Sequence, residues 1–384
     1  MNKKYKKSIV WIRRDLRLVD NKALIEASKS SDSIYIVFVF DKNILDKLKD
    51  KSDRRITFIY DSILELNNEL EKHNSKVLVC YGDPCEEIPK IVNVLKVEAL
   101  FCNEDYEPYA VKRDQKVKER LAELSVNFLT FKDHVIFSGN EIIKGDSKPY
   151  QKFTPYKNKW ISKLNKNIIK DNSYKYCFAS ADKLFKKYKL IPLEDLGFKR
   201  AFFFYDFQKP GRSNAIKQLD EFSSVIENYN SSRDFPVLSG TSGLSVHLRF
   251  GTVSIRECLR LSLKSRKIGY STWLNEIIWR DFYQMILHQF PHVQFDSFNQ
   301  NYSKLNWPGE ESNFNKWKKG ETGFPIVDSA MKQLNTTGWM HNRLRMIVAS
   351  FLTKDLLVDW RKGEEYFAEK LLDFDLAANN GGWQ

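Results

Sequence analysis

The first third of the chain alternates short apolar runs with longer stretches in which apolar residues recur every three or four positions. Residues 8–12, 33–40, 76–80, 97–101 and 127–131 are short and rich in β-branched or aromatic side chains, which predicts strands. Between them lie helical patterns, such as Ile56, Ile59, Tyr60, Ile63, Leu66 and Leu70. This alternation predicts a parallel, Rossmann-like α/β layer over residues 1–131. No GxGxxG follows the first strand, which excludes a dinucleotide fingerprint; Arg13-Arg14-Asp15-Leu16-Arg17 stands there instead. From about Tyr205 the texture changes. Strand-like runs vanish, 3.6-residue patterns take over, and seven of the nine Trp lie at or beyond Trp273. Residues 132–204 are therefore read as a long connector and 205–384 as an all-α domain.

A length of 384 residues suits two domains, each burying its own core. No run approaches the roughly 18 apolar residues that would cross a bilayer. The basic start Met1-Asn2-Lys3-Lys4-Tyr5-Lys6-Lys7 leads into a run too short for a signal peptide, so a cytoplasmic protein without membrane attachment is expected. The five cysteines, Cys80, Cys85, Cys102, Cys177 and Cys258, are odd in number and never spaced CxxC. They read as buried, reduced thiols, with neither a disulfide framework nor a zinc site. The net charge of +13 points to a polyanionic partner. Residues 141–200 hold fifteen Lys/Arg against six Asp/Glu, for which a solvated, lysine-rich connector is the favoured account.

Candidate chemistry concentrates between Trp273 and Trp383. At about 100° per residue, Glu276, Trp279, Arg280 and Tyr283 share an arc of roughly 100°, while Leu274, Ile278, Phe282 and Met285 form a core stripe opposite. Two aromatics beside a charged neighbour suit a flat base or cofactor. An exposed Glu276–Arg280 pair one turn apart is the plainer account. A second helical run places Asn342, Arg345, Met346 and Ala349 on one face, with Thr336-Thr337-Gly338-Trp339 as its entry turn. The run Ser239-Gly240-Thr241-Ser242-Gly243-Leu244-Ser245 offers hydroxyls and close backbone approach before a helix, suited to phosphate oxygens or simply to capping. Near the end, Asn379-Asn380-Gly381-Gly382 reads as a tight turn rather than a helix interior, and no third ligand at metal spacing joins Asp373 and Asp375.

Together these motifs resemble the photolyase/cryptochrome family, closest to class I bacterial cyclobutane pyrimidine dimer photolyases. The resemblance runs from Ile9 to the last residue and is most specific at 273–283, 323–360 and 373–383. It implies an α/β antenna domain, a connector, and a helical domain holding folded FAD. By similarity, Tyr229, Thr241, Ser242, Gly243, Leu244, Ser245, Trp273 and Phe374 contact FAD, and Arg345, Asp373 and Asp375 surround its isoalloxazine and ribityl chain. Asn379 matches the residue facing the flavin N5, where plant cryptochromes carry a carboxylate. Glu276, Trp279, Asn342 and Met346 match residues holding a flipped-out dimer, with Arg280 and Tyr283 on the same face and Arg233 and Arg343 as backbone-contacting cations. Trp383, Trp360 and Trp307 match the family's electron-transfer chain.

The implied activity is blue-light-driven electron transfer from reduced FAD to a pyrimidine dimer in UV-damaged DNA, by a monomeric enzyme. The segment Asn103-Glu104-Asp105-Tyr106-Glu107-Pro108-Tyr109 fits the family's antenna region, which implies a second pigment of folate or deazaflavin type. Val246-His247 replaces the commoner Pro-aromatic pair, and family members extend well beyond Gln384, so the chain reads as shortened at its C-terminus. Met346 disfavours the (6-4) branch, which has His there, and His341-Asn342-Arg343-Leu344-Arg345-Met346 disfavours the DASH type. The alternatives are a cryptochrome-like photoreceptor without repair activity and a DNA-binding helical protein without flavin.

Overall fold

The computed structural model describes residues 3–170, 174–180 and 182–384, so Met1 and Asn2 of the basic start lie outside it. Five strands form one parallel sheet in the order β3-β2-β1-β4-β5: β1 Tyr5–Trp11, β2 Ser31–Asp41, β3 Val77–Gly82, β4 Ala99–Asn103 and β5 Asn127–Phe131. The crossovers are α1 Lys22–Ser30, α2 Arg54–Glu71, α3 Pro84–Leu95 and α4 Pro108–Glu123. Both faces of the sheet are covered, as a parallel sheet requires. Along β1, Tyr5 and Val10 point into one core while Ile9 and Trp11 point into the other. The predicted strands are all present, each within a few residues of its expected bounds. Among the cysteines, all of which are free thiols, Cys85 and Cys177 are only half-buried, contrary to the expectation for the set.

Past β5 the described chain is helical. The segment after β5 carries α5, Phe153–Lys163. It is followed by α6 Arg212–Val225, α7 Ser245–Phe250, α8 Ile255–Ser262 and α9 Ile268–Gln289. The last third contains α10 Glu311–Lys319, α11 Pro325–Thr337, α12 Asn342–Ser350, α13 Trp360–Lys370 and α14 Leu376–Trp383. No described helix is long and apolar enough to cross a membrane.

Two sequence expectations fail here. Thr336 and Thr337 end α11 instead of opening the next helix. Gly338, at φ 70°, closes α11 in the left-handed conformation, and His341 caps α12 by accepting from the Arg343 amide. Asn379-Asn380-Gly381-Gly382 lies inside α14 rather than in a turn. The Asp375 carboxylate caps that helix through the Ala378 amide, and Gly381 admits the Tyr283 ring where a side chain would collide.

The α/β layer is joined to the helices by a buried ionic knot. Asp20, Asp133, Arg17 and Arg256 are each no more than 5% exposed. Arg256, in α8, grips Asp20 through Nε at 3.0 Å and Asp133 through Nη2 at 2.7 Å. Arg17 bonds the other Asp133 oxygen, the Asp20 carbonyl at 2.9 Å and the Gly251 carbonyl at 3.0 Å. Gly251 ends α7 at φ 67°, and a Cβ there would stand 2.0 Å from the Arg14 carbonyl oxygen, so the two halves touch backbone to backbone.

Burial raises the Asp133 carboxyl, but the Arg17 and Arg256 charges outweigh it and hold the group well below the usual carboxylate range. With the folded value depressed, the stabilisation is present above the unfolded value of about 3.9 and is lost as pH falls through the folded one. Asp133→Ala leaves Arg17 buried without its carboxylate and Arg256 with Asp20 alone, and is expected to cost about 3–5 kcal/mol, read by denaturant unfolding at neutral pH. The difference from wild type should shrink on acidification.

Candidate functional site

The site is built around α9. Its 22 residues span about 33 Å at 1.5 Å per residue, and each face meets a different neighbour. Trp273, Ile277, Ile278, Phe282 and Met285 are buried in the helical core. Asp281, also fully buried, accepts from the Ile136 amide at 3.1 Å, the Phe137 amide at 3.0 Å and Trp160 Nε1 at 3.0 Å. Burial pushes the Asp281 carboxyl up to about 6 against those three donors.

The expected aromatic–acidic face of α9 forms with Glu276, Trp279 and Tyr283. Trp279 and Tyr283 have ring centroids 5.4 Å apart, and Phe153 of α5 lies flat on Trp279 at 3.7 Å. Glu276 bonds Arg233 rather than Arg280. Arg343 and Arg233 share Asp234, at 2.6 and 3.4 Å. Asn342 and the exposed Met346 stand one turn apart on α12, the amide nitrogen 4.0 Å from the sulfur. Arg280 is a correction. It leaves this face, where Arg233 already holds the Glu276 carboxylate, donates to the His134 carbonyl after β5, and feels the Asp375 charge.

Asp373 and Asp375 diverge. Asp373 takes Arg345 Nη2 at 2.8 Å, and the same guanidinium donates through Nε to the Met340 carbonyl. Asp375 faces the α/β layer, where it bonds Arg14 and takes the Gln284 amide at 2.9 Å, with Arg249 at 3.9 Å. Burial alone would raise the Asp375 carboxyl; Arg14, Arg249 and Arg280 together hold it well below the usual range. Arg14 also reaches Asp105 and Glu107, both at 3.1 Å. The crevice beyond the β1 and β4 ends, where such sheets commonly bind ligands, is thus filled by ion pairs and leaves a cavity of only about 10 Å³.

Tyr229 and Trp273 both pack against Phe222, at 5.6 and 4.9 Å. The hydroxyl loop precedes α7, with Gly243 at φ 63° and Leu244 buried. Ser242 Oγ accepts from the Leu244 amide, whereas Thr241 and Ser245 hydroxyls have no partner among the described residues. Asn379 donates its amide nitrogen to Glu364, at 3.2 Å to the carbonyl and 2.8 Å to Oε1, so the amide oxygen is the free end. Phe374 and Trp383 both pack on the core of the last helices.

The three tryptophans expected in a chain make no ring contact with one another among the described residues, yet the backbone strings them in order. Trp383 lies on Gly363, where a Cβ would meet its ring at 2.3 Å, and Gly363 is one turn from the buried Trp360. The loop bearing the half-buried Trp307 is pinned by the Gly309 amide to the Leu357 carbonyl at 3.0 Å, just before Trp360. The rings that do touch Trp383 edge-on are Phe367, at 5.2 Å, and Trp317, at 6.5 Å. Sequence reading missed Trp317, Phe153, Glu364, Arg14 and Arg249. A glycine three residues after Trp360 was the only local hint of ring contact there; the other pairings join residues far apart in sequence.

Residues 8–172 match the family model of DNA photolyase, and residues 273–384 match that of the FAD binding domain of DNA photolyase. A deoxyribodipyrimidine photo-lyase of Synechococcus is 37% identical over 98% of this chain and 80% of its own length. An archaeal photolyase from Sulfolobus tokodaii, solved with two FAD molecules, superposes with a TM-score of 0.84 at 32% identity, over 98% of this chain and 82% of that one. A Synechocystis cryptochrome shares the fold, with a TM-score of 0.83 at 24% identity over 100% of this chain and 82% of that one.

The groups present suit FAD. Unpartnered hydroxyls on a glycine-containing loop can serve phosphates, the free Asn379 oxygen is an acceptor, and Gln284 Oε1 is buried without a partner. Filling the Trp383 seat tests the local packing: Gly363→Val is expected to cost about 1–3 kcal/mol by overpacking, and Gly363→Ala less, as read by thermal unfolding.

Proposed function

Because the chain belongs to the DNA photolyase family, we propose that it is a deoxyribodipyrimidine photo-lyase that uses FAD and blue light to split cyclobutane pyrimidine dimers in UV-damaged DNA. In this reading, residues 1–131 are the antenna domain and 205–384 the FAD- and DNA-binding domain, joined by 132–204. The observation that carries the reading is the contact between α9 and α14. A Cβ on Gly381 would stand 2.2 Å from the Tyr283 ring, so the aromatic wall of α9 presses directly on the helix that bears Asn379. A dimer against that wall and a flavin against Asn379 would be separated by little more than one layer of side chains.

When bound, reduced FAD supplies the photoexcited electron that opens the cyclobutane ring and takes it back. The chain's own residues bind and orient. Thr241, Ser242 and Ser245, with the backbone of Gly243 and Leu244, hold the phosphates, while Tyr229, Trp273 and Phe374 enclose the cofactor. Arg345 is fixed by Asp373, and the two face the ring system as a neutral pair. Asn379 is turned by Glu364 so that it accepts a hydrogen bond, which favours a ring nitrogen that carries a proton. Burial pushes the Glu364 carboxyl up, and the Asn379 bond opposes that shift.

For the lesion, Trp279 and Tyr283 give a stacking wall and Glu276 an acceptor, with Asn342 and Met346 closing the side. A dimer costs less to flip out than a normal pair, because its pairing is already weakened. Arg233 and Arg343, shared with Glu276 and Asp234 in the free protein, would exchange those carboxylates for DNA phosphates, which makes affinity fall with salt. Trp383, Trp360 and Trp307 would relay electrons from the surface to the cofactor.

Reduced, FAD-loaded protein incubated with an oligonucleotide holding one thymine dimer is expected to remove the dimer under blue light and not in the dark. Retention of the dimer in the light, with FAD bound, would overturn the enzyme reading and favour a photoreceptor. Trp279→Ala is expected to weaken dimer binding by about 1–3 kcal/mol. Trp307→Phe should slow flavin photoreduction while sparing repair by pre-reduced protein; equal losses in both would contradict the relay.

A further inference from the structure

The wall just described has a backing that comes from the connector. Phe153, the first residue of α5, lies on Trp279 with ring centroids 3.7 Å apart and planes only 3° from parallel. Its ring also meets Phe282 edge-on at 5.9 Å, and Tyr156, one turn along α5, meets Phe282 at 5.2 Å. Phe282 belongs to the buried face of α9, so Phe153 approaches Trp279 from the core side. Helix α5 is held there independently, since Trp160 is fully buried and its Nε1 donates to Asp281 at 3.0 Å. Two anchors, at Phe153 and Trp160, thus clamp α5 along α9.

A half-buried tryptophan without such a neighbour would sample several orientations, and binding would have to freeze one of them. A flat ring laid against one face removes that freedom in advance and leaves the other face for a planar ligand. We propose that Phe153 is a positioning residue for damaged-base recognition: it holds the Trp279 indole in stacking orientation, so that part of the preference for dimer-containing DNA is set by the connector and not by the helical domain. This rests on the reading of Trp279 as the dimer wall.

The test uses the full chain loaded with FAD, with Phe153→Ala, Phe153→Leu and Phe153→Tyr, and binding is read in the dark. Dissociation constants are measured for a thymine-dimer oligonucleotide and for its undamaged twin, and light-driven repair is measured at saturating protein. Phe153→Ala is expected to raise the dimer constant about five- to tenfold, a fraction of one full base–aromatic stack. The undamaged-DNA constant, the FAD content and the repair per bound lesion should stay unchanged. Phe153→Tyr should restore the dimer constant, and Phe153→Leu, which keeps bulk without a flat ring, should not.

Equal weakening toward both DNAs, or loss of FAD in step with affinity, would reduce Phe153 to packing and overturn the proposal. Should Phe153→Ala not fold, the contrast between Phe153→Leu and Phe153→Tyr decides the matter. If wild type prefers dimer DNA and Phe153→Ala keeps that preference, this inference falls and the enzyme reading stands. If wild type shows no preference at all, both fall.

Discussion

Four buried charges hold this molecule together. Asp20 and Asp133 face Arg17 and Arg256 in the seam between sheet and helices, and every one of them is buried. Two positive and two negative groups balance, and nearly all their polar atoms find partners, which offsets the cost of stripping their hydration. A hydrophobic seam could slide by a fraction of a residue with little loss. Guanidinium–carboxylate forks cannot, because their bonds are directional. The knot therefore sets where α8 stands against the loops that follow β1 and β5, and α9 packs on α8.

From that placement α9 becomes the shared spine. Asp281 ties it to the connector, Gln284 reaches Asp375, Phe282 and Met285 fill the helical core, and Trp279 with Tyr283 forms the outward wall. A site carried on a rigid helix keeps its geometry better than one carried on loops. The α/β layer is not a passive neighbour in this arrangement. Arg14, from the loop after β1, holds the carboxylate that caps α14, so the orientation of Asn379 and Trp383 depends on a residue more than three hundred and fifty positions away. Glycine does the complementary work, since Gly251, Gly363 and Gly381 stand where a side chain would keep two elements apart.

Much of this was legible without coordinates. The strands were readable because buried parallel strands are apolar and β-branched along their whole length, and the grouping of Glu276, Trp279 and Tyr283 because helical spacing alone puts them on one arc. Local signals misled in two places. Thr336-Thr337-Gly338 carries both start and stop chemistry, and only the packing of α11 showed that Gly338 ends a helix. Asn379-Asn380-Gly381-Gly382 has poor helix propensity, about 1 kcal/mol per glycine against alanine, yet is helical where the Tyr283 ring takes the space that the missing side chain of Gly381 leaves.

What the sequence determined by itself is whatever follows from near neighbours in the chain: the type of each element, the faces of α9 and α12, the basic charge, and the motifs that carry the family resemblance. What the tertiary structure decided is the partner of each buried charge and ring. Arg280 could have paired with Glu276 one turn away and instead turns to the connector, while Asp375 faces Arg14 rather than joining Asp373. The physical reason is the same in both cases. A buried ion takes the best acceptor or donor within reach once water is excluded, and which groups are within reach is a property of the packed molecule and not of the chain's local order.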